Sequence, residues 1–186
     1  MSTLAVDTIK KVNGSTPTVA DLGINVTGSV LQVKYFQLTT EQIETYGTNM
    51  ADQAITNFNI DITPKSTSSI IKLESNIAYE CNTFAGDTMW FFFRNNLKLA
   101  ATSAGDTQNY GISPGLLSHF NNNGLTMEFS TLTYFDTPST TSAITYKLGV
   151  SASATNSFYI NRTISSGTSA IYERGVSFIS ATEIGG

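Results

Sequence analysis

From Val30 onward the chain alternates apolar and polar residues with a period of two. Val30 to Phe36 (VLQVKYF) is rich in β-branched and aromatic residues. Ala54 to Ile62 sets Phe58, Ile60 and Ile62 against Asn57, Asn59 and Asp61, and Thr63-Pro64 ends the run. Ile71 to Glu80 sets Ile71, Leu73, Ile77 and Tyr79 against Lys72, Glu74, Asn76 and Glu80. Leu125 to Phe135 places Leu125, Met127, Phe129 and Phe135 on one side, and Ile144 to Ala152 places Ile144, Tyr146, Leu148 and Val150 on one side. Ser157 to Ile160 and Val176 to Ile184 complete the set. Such segments, separated by Gly, Pro, Asn and Ser clusters, predict the strands of an all-β sandwich or barrel.

Met89 to Phe93 (MWFFF) departs from this pattern. In a strand, Met89, Phe91 and Phe93 point one way and Trp90 and Phe92 the other, so both faces are apolar. A sandwich strand wets one face, and a bare aromatic patch is costly on a monomer. Either a loop of the same chain or a second subunit covers the extra face. In the second case Trp90, Phe92, Met89 and Phe91 are the oligomer-interface candidates.

Residues 1 to 29 form a different region. They hold no aromatic residue, and Gly14, Pro17, Gly23 and Gly28 punctuate them. A segment this short builds no core of its own, yet Val6, Ile9, Val12, Leu22, Ile24 and Val26 are too many for a free tail. The expectation is a docking segment at 1–29 and a β head at 30–186. One helix is considered over Thr40 to Asp52, where Ile43, Tyr46 and Met50 fall at helical spacing around an unfavourable Gly47. The Gly- and Asn-rich stretch from Ala100 to Gly124 predicts a long loop, and loops on β scaffolds carry contacts. Tyr110, His119, Asn121, Asn122 and Asn123 are its surface-contact candidates.

Composition narrows the chemistry. Only 13% of residues are charged, so the polarity is mostly that of Ser, Thr and Asn. The ten Lys and Arg never cluster, and the net charge is −4, which argues against a nucleic-acid partner held by phosphate neutralisation. No apolar run reaches membrane-spanning length. The opening residues lack the apolar core of a secretion signal, so synthesis in a cytoplasm is expected. Asn13, Asn25 and Asn161 open Asn-x-Ser/Thr triplets, read as chance in a Ser/Thr-rich chain.

Catalytic and metal motifs are missing. The single His119 and single Cys81 exclude sites needing two imidazoles or a thiol pair. His119 has no evident nucleophile or orienting partner, and nothing basic adjoins Cys81 to lower its pKa. Asp87 and Asp106 stand alone in their loops, without EF-hand spacing. Asn121-Asn122-Asn123-Gly124 reads as a turn. A carboxylate pair is the one chemistry that counting leaves open, but Asp61, Glu74, Glu80 and Glu128 lie on polar strand faces, where solvated charge explains them. No enzyme, cofactor or metal site is expected.

Three stretches carry a resemblance. The opening LAVDTIKKVNGSTPTVADLGINVTGSVLQVKYF, the unit FNIDITPKSTSSIIKLESNI, and YFDTPSTTSAITYKLGVSAS followed by FYINRT, closing on FISATEI, resemble short tail-fibre and minor structural proteins of phages that infect marine and cyanobacterial hosts. The likeness runs from residue 4 to 184. The Glu41 to Gln53 insert and the MWFFF strand are bulkier than that family's pattern. The resemblance implies a virion appendage, made in the host cytoplasm, with a jelly-roll-like antiparallel β-sandwich head and usually a homotrimer. Its partners would be copies of itself, other virion proteins through the N-terminal segment, and a host surface glycan or protein. Arg162 would bridge an acid such as Glu183 or Asp136 and hold the fold. A capsid or neck decoration protein, and a virion-borne glycan depolymerase, are the competing readings.

Overall fold

A computed structural model of the chain describes residues 8–17, 27–46, 52–81, 88–99, 110–115, 126–152 and 156–186. Within them run β1 (Val30–Leu38), β2 (Gln42–Tyr46), β3 (Gln53–Ile62), β4 (Ile70–Cys81), β5 (Met89–Arg94), β6 (Leu97–Lys98), β7 (Ser113–Pro114), β8 (Glu128–Asp136), β9 (Ile144–Ser151), β10 (Asn156–Ile160) and β11 (Ser177–Ile184). The described residues hold no helix. The helical spacing over Thr40–Asp52 is overturned where it can be compared: Gln42–Tyr46 is a strand, antiparallel to β10. Ile43 and Tyr46 therefore lie on opposite faces, one exposed and one buried. Cross-strand pairing wins over a helix that Gly47 already weakens.

The registers reduce these strands to eight runs. β8 pairs one edge of β4 from Ile71 to Tyr79. The other edge takes β11 from Ile70 to Asn76 and β10 from Tyr79 to Cys81. β10 and β11 thus lie end to end, and β1 and β2 continue each other beside them. In the second sheet β9 lies between β3 and β5, while β6 and β7 share the far edge of β5. One sheet orders its runs first, last, third, sixth; the other second, seventh, fourth, fifth. That interleaving is a jelly-roll antiparallel sandwich.

The core lies between the sheets. Ile71, Leu73, Ile77 and Tyr79 of β4 face Ile60 and Ile62 of β3 and Tyr146, Leu148 and Val150 of β9, with Trp90 and Phe92 of β5 among them. The ring of Trp90 sits 5.0 Å from Tyr79 and 5.4 Å from Phe158, both edge-on. In β3 the spacing of buried residues slips from Ile55 to Phe58. Asn57 explains it: its φ of 55° and the register shift between Ala54 and Asn59 mark a bulge.

The β8 face runs opposite to the sequence expectation. Ser130, Leu132 and Asp136 point inward, while Phe129 and Phe135 are exposed. Apolar content does not decide this strand, because Leu132 and Tyr134 match Phe129 and Phe135. Asp136 decides it. Across the sandwich, Arg94 of β5 donates to Asp136 at 3.0 Å and Tyr146 of β9 at 2.6 Å, and a buried carboxylate needs such partners. Met127 is buried differently, under the chain at Gly175. Leu125 lies outside the described residues.

Candidate functional site

The conspicuous polar side chains serve the fold. Between β10 and β11, residues 161–176 leave the sheet and return over its outer face. Asn161 begins this strap in a left-handed conformation, φ 60°, that Asn tolerates. Its buried amide donates to the carbonyls of Leu38 (2.6 Å) and Thr40 (3.1 Å), and its carbonyl accepts from Ser177 Oγ (2.6 Å). One side chain thereby joins the β1–β2 break to both ends of the strap. Asn161 is almost fully buried, which closes that triplet to modification. Exposed Asn13 instead caps a local turn by accepting from Ser15. Arg162 pairs with Glu41 at 3.8 Å, and Arg174 contacts the same carboxylate. This corrects the expected partners of Arg162: Asp136 is taken by Arg94, and Glu183 by another set.

Glu183 is fully buried at the end of β11. It accepts from Ser69 Oγ (2.6 Å), the Lys65 amide (2.6 Å) and Gln32 Nε2 (2.5 Å). Burial alone pushes its carboxyl up, but these hydrogen bonds outweigh it and hold the group below the usual carboxylate range. Tyr46, Tyr79 and Tyr146 are pushed above the usual phenol range, chiefly by burial.

Other acids among the described residues are also engaged. Glu80 is buried and accepts from the Ile164 amide at 2.6 Å, and Asp61 accepts from Thr145 Oγ1. Glu74 pairs with Lys72 at 2.8 Å, and Asp52 with Lys98 at 2.7 Å. Among the described residues no three His, Cys, Asp or Glu gather as a metal site. Cys81 is buried.

The interface expectation for β5 is corrected at three of its four residues. Trp90, Phe91 and Phe92 have no exposed surface within a single chain, and Met89 is only half-buried. Trp90 and Phe92 fill the core. Phe91, on the other face, is covered by its own chain: Lys98 Nζ stands 4.1 Å from the centres of both the Phe91 and Tyr110 rings. Tyr110 thus holds Lys98 over Phe91. Ile9 and Val12 are exposed. Val6, Leu22, Ile24 and Val26, and likewise His119, Asn121, Asn122 and Asn123, lie outside the described residues.

The uncovered apolar surface lies on the first sheet instead. Its outer face carries Tyr35 (76% exposed), Phe135 (57%), Val33 (55%), Phe129 (52%) and Phe178 (37%). The registers set Tyr35 beside Ser180, Glu74 and Thr133, and Val33 beside Thr182, Lys72 and Phe135. The face is therefore aromatic and hydroxylated, and its Lys72 and Glu74 cancel. Sequence reasoning passed over these residues. The available signal was parity in β8: Phe129 and Phe135 share the side opposite Asp136.

No protein-family model matches the chain, and no curated protein matches it. Among solved structures, the infectious bursal disease virus VP2 subviral particle is 12% identical, with a TM-score of 0.37 over 84% of this chain and 42% of that one. The Gt strain of the same virus gives 14% identity and a TM-score of 0.38 over 84% of this chain and 39% of that one. The chain spans less than half the length of these solved chains.

Proposed function

We propose that this chain is a structural component of a virus particle, with no catalytic role. In this reading the jelly-roll head assembles with copies of itself, as a homotrimer, through the outer face of the β1–β11–β4–β8 sheet. Residues 1–29 grip other virion proteins, and the remaining head surface faces the host.

Virion membership follows the sequence resemblance to phage appendages, and one observation carries the self-association: a sheet face with five exposed large apolar side chains and no net charge. Apolar area of this kind marks an interaction site. The occupant we assign is a second copy of the chain. The whole chain carries −4, a net repulsion between copies to which this face, with Lys72 and Glu74 paired, adds nothing. Closed symmetry is the usual outcome of self-association, and the three-fold choice follows the sequence resemblance to phage appendages. Engagement of the described acids in fold-holding contacts supports the non-catalytic part.

Deleting residues 2–28 tests the division of labour. The truncated head is expected to stay folded and oligomeric while failing to join particles in a complementation assay. A head that unfolds on deletion would make the segment part of the core and end the docking role.

A further inference from the structure

We propose that the outer face of the β3–β9–β5 sheet binds an acidic sugar residue in a trough lined by Asp52, Ala54, Phe93, Asn95, Asn96 and Lys147. The inference rests on the reading above, in which this surface faces outward, and names the ligand class it would meet there.

The registers build the trough. Ala54, Gly149 and Phe91 lie side by side across β3, β9 and β5, next to the row Asn59, Lys147 and Phe93. Ala54 is small and Gly149 has no side chain. A Cβ at Gly149 would lie 2.5 Å from a Phe91 ring carbon and 2.7 Å from a Phe93 ring carbon. Both rings therefore lean over the glycine, and the Phe93 ring forms part of the trough's lining. The Asn95-Asn96 turn between β5 and β6 raises one wall. Asn95 adopts φ 55°, and its Oδ1 accepts from the Thr145 amide at 3.0 Å, which leaves its NH₂ group to donate.

The polar groups decide the ligand. Asp52 is neutralised by Lys98, itself held over Phe91 and Tyr110. Lys147 has no ion pair or hydrogen bond among the described residues, so its ammonium is left free to meet a ligand; Asp61, one pair along the same face, is engaged by Thr145 Oγ1. An aromatic ring offers a stacking surface to the C–H face of a pyranose. Two amides and a carboxylate oxygen suit its hydroxyl groups, each of which both donates and accepts. The free ammonium then selects a sugar that bears a carboxylate. A phosphate ligand fits less well, because the lining residues include no arginine fork.

The test is saturation-transfer NMR and calorimetry on the full chain, with an oligogalacturonate and the same oligosaccharide after reduction of its carboxyls to alcohols. The expected result is saturation transfer to the sugar ring protons. Affinity should fall about tenfold for the reduced sugar, and by a similar factor for Lys147→Gln with the native ligand. Asn96→Ala, on the exposed turn, should weaken binding with unchanged melting. No binding to the folded protein at millimolar sugar would overturn the site, as would equal affinity for the two sugars or for Lys147→Gln. Acetate competing as well as the oligosaccharide would overturn the sugar assignment. Such failures in a protein still incorporated into particles would remove this site and leave the virion reading standing.

Discussion

The two sheets treat their outward aromatic residues in opposite ways. On the second sheet, Phe91 is sealed by Lys98 and Tyr110 of its own chain. On the first, Tyr35, Phe129, Phe135 and Phe178 stand exposed beside Thr and Ser. Sequence pattern suggests the reverse, since MWFFF looks two-faced and β8 looks one-faced. The contrast teaches that an apolar run signals burial without saying what buries it. A strand with one essential inward carboxylate, as in β8, can turn its aromatics out.

Truncating the inward side of β5, the strand that carries Phe91, should have the largest effect. Trp90→Ala is expected to cost about 3–5 kcal/mol, the usual loss for a large aromatic in a packed core. Because Trp90 lies inside one chain, the loss should not vary with protein concentration in denaturant titrations. A concentration-dependent loss would return Trp90 to a subunit interface.

Gly149→Ala should come next. The added methyl meets Phe91 and Phe93 at once, and overpacking of this kind costs about 1–3 kcal/mol. Thermal melting reads it directly.

Glu183 sharpens the comparison through pH, since its partners Lys65 and Ser69 lie in the turn that links the two sheets. Its folded carboxyl titrates below the unfolded value of about 4.3. Its contribution is therefore present above that pH and lost as pH falls through the lower folded value. Glu183→Gln should remove about 1–2 kcal/mol at neutral pH and flatten the acid limb of the stability curve. An unchanged acid limb would reject this role.

Much of the fold is legible in the sequence, because period two marks strands wherever one face is wet. The runs around Phe58–Ile62, Ile71–Tyr79 and Ile144–Val150 are of this kind, and their faces follow the pattern. Gln42–Tyr46 was hidden because a five-residue edge segment carries too few positions to separate period two from 3.6. The cover on Phe91 was hidden because Lys98 and Tyr110 reach it from separate segments. The outward turn of β8 was hidden because its facing depends on Asp136 finding Arg94 and Tyr146 on the opposite sheet, contacts made only in the assembled sandwich. The partners of Arg162 were illegible for the same reason: Glu41 reaches it only through the pairing of β2 with β10.

The smallest expected change in stability accompanies the most decisive readout. Tyr35→Ser with Phe135→Ser alters only exposed side chains, and such substitutions usually stay within about 0.5 kcal/mol each. The measurement is sedimentation equilibrium of the native chain and this double variant at micromolar concentration. The expected result is a native mass three times that of the 20.0 kDa chain, and a variant shifted to monomer with its melting preserved. A native protein that stays at 20.0 kDa, or a variant that assembles as the native chain does, would contradict it.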